Sequence, residues 1–461
     1  MVTCIKRGYG GEETYFIARV DAGRGSAVVT GGRRLVCGEV IEYDESAGTA
    51  TPVEGAENGK ELLANKVASY RQDVITGRPY ETGNAEIDAA TARMWGKLEE
   101  VAWLIVRKMV VSAPILVRFH NDADGAGGAY ALYLSLKELS ERLGLAGNCI
   151  WTMHRSVSYR REDCMADILT SNAYACTEKP LALMIDFGTN PDSNGGIECA
   201  VDRFDVAWLD HHPLVEGFGG YGIKDYVNTW QFGSGSEYTA GLLCAAMCKC
   251  FSKVDTSEIE GASLIGDYSR HAGAAGAELS ALLDFLTSDL QAVYGPSKAN
   301  ITPQEIDAIV KDRERSSEML RYAQIRMDEA LDRGMAAVKL SAVKEFTIAT
   351  LDFEDVRHED SKYPLPGRYS SKLLDRIEGS GAVKACLVVS VGQYLLIRLG
   401  SGICGRIGVD ALVEFMKSGY PDIVEGGGGH RCAGSIKLKD KEASAEMAGA
   451  LVKEVRNRLA A

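Results

Sequence analysis

In VRFHNDADGAGGAY, residues 117–130, His120, Asp122 and Asp124 fall within five positions, directly after an apolar run and directly before a small-residue helical pattern. Two further apolar runs end in the same kind of residue: LALMID closes on Asp186, and VAWLDHH on Asp210, His211 and His212. Carboxylates brought together repel one another and raise each other's pKa, so such a cluster calls for positive charge. Two divalent cations about 3.5–4 Å apart, bridged by a shared carboxylate, supply that charge, activate a water and hold a phosphoryl group. Each piece alone has a plainer reading. An isolated Asp-x-Asp is ordinarily a solvated turn and an isolated His-His a surface or core pair. FHNDADG also lacks the spacing and terminal glutamate of an EF-hand loop. Recurrence at three successive run ends favours the metal site.

The elements that must position these residues are strand-length runs, PILVRF, LALMIDF and VAWLD, alternating with helical patterns. That alternation predicts an α/β fold with a parallel sheet covered by helices. Such sheets bind ligands beyond the carboxyl ends of their strands, where these side chains stand. At 461 residues the chain exceeds what one core serves, so two large domains and an appendage are expected. Residues 1–57, with TYFIARV, SAVVT and GEVIEY, read as a small β module, an OB-like barrel being one option. Residues 58–112 read as helical, 113–300 as the sheet domain and 301–340 as a helical connector opened by the capping-box sequence TPQE. Residues 341–461 resume strands (FTIATLDF, AVKACLVVSV, YLLIRLG) and end in an amphipathic helix over 440–459, a smaller α/β domain.

Composition is that of a soluble globular chain, 46% hydrophobic and 25% charged. No apolar stretch reaches the roughly 18 residues a membrane span needs, and MVTCIKRGYGGEE lacks a signal-peptide core, so a cytoplasmic protein without membrane association is expected. The 12 cysteines form no CxxC pair and read as reduced core residues, with Cys244, Cys248 and Cys250 packing a helix rather than binding zinc. The net charge of −13 argues against coating long nucleic acid through a broad basic surface, though not against nucleotide substrates. An acidic surface suits a basic protein partner equally well.

HNDADG, IDFG and LDHH resemble the first three motifs of the DHH phosphoesterase family, and ASLIGDYS is similar to the fourth, which nominates Asp267. GGGGHRCAGS resembles the glycine-histidine signature of the DHHA1 domain found in RecJ-like exonucleases, oligoribonucleases and related phosphodiesterases. The resemblance spans residues 113–461. It departs from the family after the Asp-His-His triplet, where Asn228-Thr229 stands in place of asparagine-proline and GSGSEYTAGLLC matches only loosely. It implies a parallel-sheet DHH domain joined by a helical connector to a DHHA1 domain. It further implies that His120 and Asp122 hold one metal ion and Asp124 the other, that Asp186 bridges them, and that His211 and Asp267 complete the second site. His212 would contact the scissile phosphate and Asp210 would orient the histidines. Mixed imidazole and carboxylate donors suit two Mn²⁺, with Mg²⁺ second and Co²⁺ or zinc as substitutes.

On the same resemblance Gly427, Gly428, Gly429 and His430 clamp substrate, with Arg398 a lesser candidate. Residues without a Cβ let backbone N–H groups approach a phosphate, although a flexible turn before CAGSIKL explains the run by itself. Arg155, Arg160 and Arg161 could guide a phosphodiester backbone and Tyr159 stack on a base, or form an ordinary loop. Asp352, Glu354 and Asp355 make an acidic cluster with no tie to the metal site. The implied activity is end-directed hydrolysis of single-stranded DNA or RNA by metal-activated water. The alternatives are a hydrolase of short oligoribonucleotides, cyclic dinucleotides or 3′-phosphoadenosine 5′-phosphate, and a Cdc45-like scaffold without chemistry. A replication or RNA-processing protein partner is compatible with the first.

Overall fold

The computed structural model describes residues 1–460 other than 20–25, 31–33, 56–58, 76, 78, 146, 219–222, 290–297, 299, 360 and 382–383. The chain forms two compact units, residues 1–287 with 299–312 and residues 288–298 with 313–461.

The first unit opens with an antiparallel meander, β1 (Val2–Arg7), β2 (Glu13–Ala18) and β3 (Ser26–Thr30), and a separate ladder of β4 (Ile41–Asp44) with β5 (Thr49–Pro52). Two helices follow, α1 (Gly59–Val74) and α2 (Ala85–Val110). Asn84 starts α2 by accepting the N–H groups of Glu86 and Ile87, satisfying donors that a helix start otherwise leaves orphaned. The chain then runs β6 (Ile115–His120), α3 (Ala123–Leu143), β7 (Cys149–His154), α4 (Arg161–Ser171), β8 (Tyr174–Cys176), β9 (Leu181–Ile185), α5 (Asn194–Val201), β10 (Asp205–Asp210) and β11 (Asp225–Asn228). The unit is completed by α6 (Ala240–Cys248), α7 (Ser257–Gly266), most of α8 (Ala277–Ser288) and α9 (Pro303–Lys311).

Five strands form a parallel sheet in the order β11-β10-β9-β6-β7. Strands covered on both faces must be apolar throughout, which is why β9 is LALMI, buried along its whole length. Helices α3, α6 and α7 pack on one another, and α5 packs on β10. Beneath α4 and α5 lies a core of Leu116, Tyr159, Met184, Phe187, Ile197, Phe204 and Trp208. From β6 the chain steps to β7 on one side and, later, to β9 on the other. The order therefore reverses between β6 and β9, opening the crevice in which α/β sheets bind ligands.

The small N-terminal module is present as an antiparallel sheet, but among the described residues its strands do not close into a barrel. Its order is β3-β2-β1-β8, with Cys4 opposite Cys176, so β1 takes its second partner from between α4 and β9.

In the second unit the strands β12 (Lys339–Val343), β13 (Phe346–Asp352), β14 (Ala385–Val391), β15 (Tyr394–Leu399), β16 (Val424–His430) and β17 (Ala433–Leu438) form a mixed sheet, β12-β13-β14-β15-β17-β16. With them run α10 (Arg313–Ala337), α11 (Pro366–Gly379), α12 (Ser401–Cys404), α13 (Val409–Gly419) and α14 (Ser444–Ala460). A core of Phe346, Ile348, Val388, Ile397, Leu412, Met416, Ile436, Met447 and Leu451 joins the sheet to α13 and α14. The polar stretch 302–337 is two helices interrupted at Asp312, and they fall in different units.

Cys404 and Cys432 form a disulfide, which corrects the expectation of reduced cysteines throughout; the other ten are free thiols. Cys244, Cys248 and Cys250 are buried in and just after α6, where they pack. Among the described residues no helix is long and apolar enough to cross a membrane.

Candidate metal centre

The centre forms at the carboxyl edge of the parallel sheet. His120 ends β6, and Asp122 caps α3, accepting the Gly125 N–H with Oδ1 at 2.9 Å. Its other oxygen lies 2.5 Å from His120 Nδ1. This turn requires Gly125: a Cβ there would meet the His120 carbonyl at 2.6 Å and the His120 nitrogen at 2.7 Å. In the first turn of α3, Asp124 is fully buried and accepts the first N–H groups of α6, from Ala240 at 2.8 Å and Gly241 at 2.7 Å, together with the Ser263 hydroxyl. A helix N-terminus is a favourable place for a carboxylate.

Asp186, just past β9, has φ 67°. That left-handed conformation is uncommon outside glycine, though aspartate tolerates it. The side chain reaches both halves of the cluster, with Oδ2 3.7 Å from His120 Nδ1 and Oδ1 3.2 Å from His211 Nε2. Gly188 follows with φ 92° and lies where a Cβ would strike the Trp208 ring.

Asp210, at the end of β10, is fully buried. Its Oδ1 accepts the N–H groups of His211 and His212 and lies 2.7 Å from His212 Nδ1, while Oδ2 accepts the Thr189 hydroxyl. His211 Nδ1 is 3.0 Å from the Ser236 carbonyl, so it carries the proton and Nε2 turns inward. There Nε2 lies 3.0 Å from Asp267 Oδ2 and 3.5 Å from Asp124 Oδ2. Asp267 is the cap residue closing α7.

Three overlapping groups could each hold an ion: His120, Asp122 and Asp186; Asp124, His211 and Asp267; and Asp186, Asp210, His211 and His212. All eight side chains nominated from the sequence are thus gathered here. Asp210 differs from the rest, because its oxygens are taken up by the two histidines and Thr189.

Five carboxylates face three imidazoles. Burial disfavours charge on His120, but Asp122 and then Asp186 outweigh it and hold the ring well above its usual pKa. Burial is likewise outweighed at His211, chiefly by Asp267, and at His212 by Asp210. Asp122 and Asp210 are pressed below the usual carboxylate range when His120 and His212 respectively overcome burial. Burial raises Asp124, with Asp186 and Asp267 adding to it, and raises Asp186, with Asp122 adding. Asp186 Oδ1 is buried and accepts no hydrogen bond from the described residues. Mixed nitrogen and oxygen donors, mutual repulsion and an oxygen left for a further partner are what a divalent cation site requires.

The other nominated residues lie elsewhere. The glycine run is not a loop or a turn: Gly426 to Gly429 form part of β16, an edge strand paired with β17. Along it a Cβ on Gly427 would meet the Ser435 carbonyl at 2.7 Å and one on Gly429 would collide with Gly434, whereas Gly426 and Gly428 have open space. The His430 side chain lies outside the described residues. Arg398 is half-buried on β15, next to β17, and donates to Ser371, Ile397, Gly434 and Gly367 oxygens. Tyr159 is fully buried and donates to Asp167, which removes it as a base platform; Arg155, Arg160 and Arg161 are exposed. Asp352 caps the short turn that contains Glu354 and Asp355. Sequence reasoning passed over Arg118 and His154. Buried Arg118 makes a two-bond pair with Asp167 at 2.8 and 2.9 Å, and His154 stands in register with His120 and stacks on Phe187.

No family model matches the chain. An uncharacterized protein of Methanocaldococcus jannaschii is 25% identical over 407 residues, 76% of this chain; the chain spans about half, 53%, of that relative's length. The DHH domain of a protein described as a member of a family of ribosomal proteins superposes with a TM-score of 0.69 at 19% identity, over 86% of this chain and 97% of that one. The chain has the DHH-domain fold. RecJ of Thermus thermophilus, solved with Mn²⁺, matches at TM-score 0.48 and 14% identity, over 87% of this chain and 59% of that one. In the DHH-domain fold of this chain, the triplet that carries the name is Asp210, His211 and His212.

Proposed function

We propose that the protein is a metal-dependent phosphodiesterase that removes nucleotides from an end of single-stranded nucleic acid. The observation that carries the reading is the meeting of His120, Asp122, Asp124, Asp186, His211 and Asp267 at the switch point of the sheet, with Asp186 within reach of both histidines. The residues fit two divalent ions, Mn²⁺ by donor type: His120 and Asp122 toward one, Asp124, His211 and Asp267 toward the other, Asp186 shared. Such ions, when bound, polarise a phosphoryl group and lower the pKa of water.

The chain's own groups do the rest. Asp122 and Asp186 fix the His120 ring, and the Ser236 carbonyl fixes the tautomer of His211. Asp210 holds the His212 ring through Nδ1, and a half-exposed His212 is placed to donate toward a phosphate oxygen. In the second unit, the open backbone at Gly426 and Gly428 suits phosphate approach, and Gly427, Gly429, His430 and Arg398 belong to the same substrate-contact proposal.

The net charge of −13 favours short substrates, which need few phosphate contacts, so hydrolysis of oligoribonucleotides or other small phosphodiesters is the second reading. Retention of every candidate ligand counts against a scaffold that has lost its chemistry. The deciding experiment is an assay in Mn²⁺ with 5′- and 3′-labelled DNA and RNA of several lengths, beside Asp186→Ala. Shortening from one end, absent in the variant, is expected; equal rates on dimers and long strands would select the short-substrate reading. Unchanged activity in Asp186→Ala would remove the enzyme assignment.

A further inference from the structure

The segment from Thr229 to Glu237 lies where the sequence departs from the family resemblance, and it wraps the backbone of His211. Trp230 sits in a short 3-10 turn capped by Asn228. Its indole Nε1 donates to the His211 carbonyl at 3.0 Å and to Ser236 Oγ at 3.1 Å. Ser236 donates to that same carbonyl at 2.9 Å, and Asn228 Nδ2 donates to the His212 carbonyl at 2.9 Å. From α2, Arg93 fastens the segment through the Phe232 carbonyl at 2.9 Å and Ser234 Oγ at 3.1 Å. Thus the polar end of the indole is fixed on the backbone of a residue in the metal centre.

Trp230 nevertheless remains 44% exposed, and Tyr268, which follows Asp267 directly, is also 44% exposed. Single exposed aromatics are ordinary on protein surfaces. An indole whose one donor is already bonded and whose orientation is held by two neighbours is a different object. What it offers outward is aromatic surface held in a fixed orientation, and aromatic surface recognises another planar ring rather than a phosphate. Tyr268 adds a second exposed aromatic, next in sequence to Asp267, whose Oδ2 lies 3.0 Å from His211 Nε2.

We propose that Trp230 is a base-stacking platform, so that the substrate carries a nucleobase next to the phosphate being cut. The proposal rests on the phosphodiesterase reading above and narrows it, separating nucleotide-bearing substrates from bare polyphosphate. Stacking tolerates every base, so the platform grips without selecting sequence.

The test is fluorescence anisotropy with the full chain in Mn²⁺, on labelled phosphorothioate-linked strands that resist cleavage, one base-bearing and one abasic of equal length. Trp230→Ala is expected to weaken binding of the base-bearing strand by about tenfold or more and to leave the abasic strand unchanged. Trp230→Phe, which keeps a ring but loses the Nε1 anchor, is expected to fall between wild type and Trp230→Ala on the base-bearing strand and to leave the abasic strand unchanged. Equal weakening on both strands, or no weakening on either, overturns the platform. A wild-type protein that shows the base-dependent contrast yet cleaves no phosphodiester would sink the catalytic reading while leaving the platform standing.

Discussion

At φ 67°, Asp186 occupies a backbone conformation that costs a non-glycine residue roughly 1–3 kcal/mol, and such strain concentrates where a side chain must be aimed. What it is aimed at is His120 on one side and His211 on the other. Asp210 works differently, through the backbone and ring of the two histidines that follow it. Asp210→Asn is therefore expected to lower Mn²⁺ affinity about 10- to 100-fold with the fold intact, as titration calorimetry would show. Metal binding should also be linked to protons. Without metal, neighbouring carboxylates overcome burial and hold His120 and His211 above their usual pKa, so both rings are protonated at mildly acidic pH. A ligand nitrogen must be neutral, so each ion displaces protons and affinity rises with pH through the raised pKa of the two rings, above the usual histidine range. Calorimetry in buffers of different ionisation enthalpy should detect the released protons, and affinity independent of pH would contradict this account.

At the scale of elements, the centre depends on how closely helices approach strand ends. Gly125→Ala forces a Cβ against the His120 backbone, and a destabilisation of about 1–3 kcal/mol is expected in urea unfolding. Gly428→Ala meets open space and should change stability by less than about 0.5 kcal/mol. Strands β6, β9 and β10 were legible because two-sided burial leaves a continuous apolar run, and the residues ending them were legible because carboxylates recur at all three ends. Seven of the eight side chains could be placed together from the strand ends alone, and Asp267, at the end of a helix, only through the family resemblance. Strand β7, CIWTMH, and strand β11, DYVN, were not read, because polar residues interrupt both and only their neighbours make them strands. The glycine run was read as a loop or turn for a related reason: glycine has little strand preference, and the pairing comes from β17. Tyr159 shows the opposite error, since a tyrosine amid arginines suggested exposure where the core beneath α4 in fact encloses it.

For the whole molecule, the five carboxylates gathered in the first unit suit metal binding, and an ion held there would stabilise the native state. At a hundredfold excess over its Kd, a ligand bound only by the native state adds about 2.7 kcal/mol. Mn²⁺ should therefore raise the thermal midpoint of the wild type, and much less that of Asp186→Ala, in differential scanning fluorimetry. The acidic surface sets a second expectation. If the proposed single-strand reading holds, a chain of net charge −13 would neutralise few phosphates, so the plot of log affinity against log salt should be shallow, with a slope near about −0.7 for each phosphate engaged.

The pairing of β1 with β8 bears on how such experiments can be built. Three residues in the middle of the sheet domain, Tyr174 to Cys176, find their strand partner, the only one among the described residues, at the beginning of the chain. Trimming the first fifty-odd residues to obtain a minimal catalytic fragment would strip that partner away, along with the apolar cluster of Val2, Ile5, Tyr15 and Ile17 against which Ala175 packs. A shortened version that aggregates would then report a torn sheet, and say nothing of whether the leading module touches substrate.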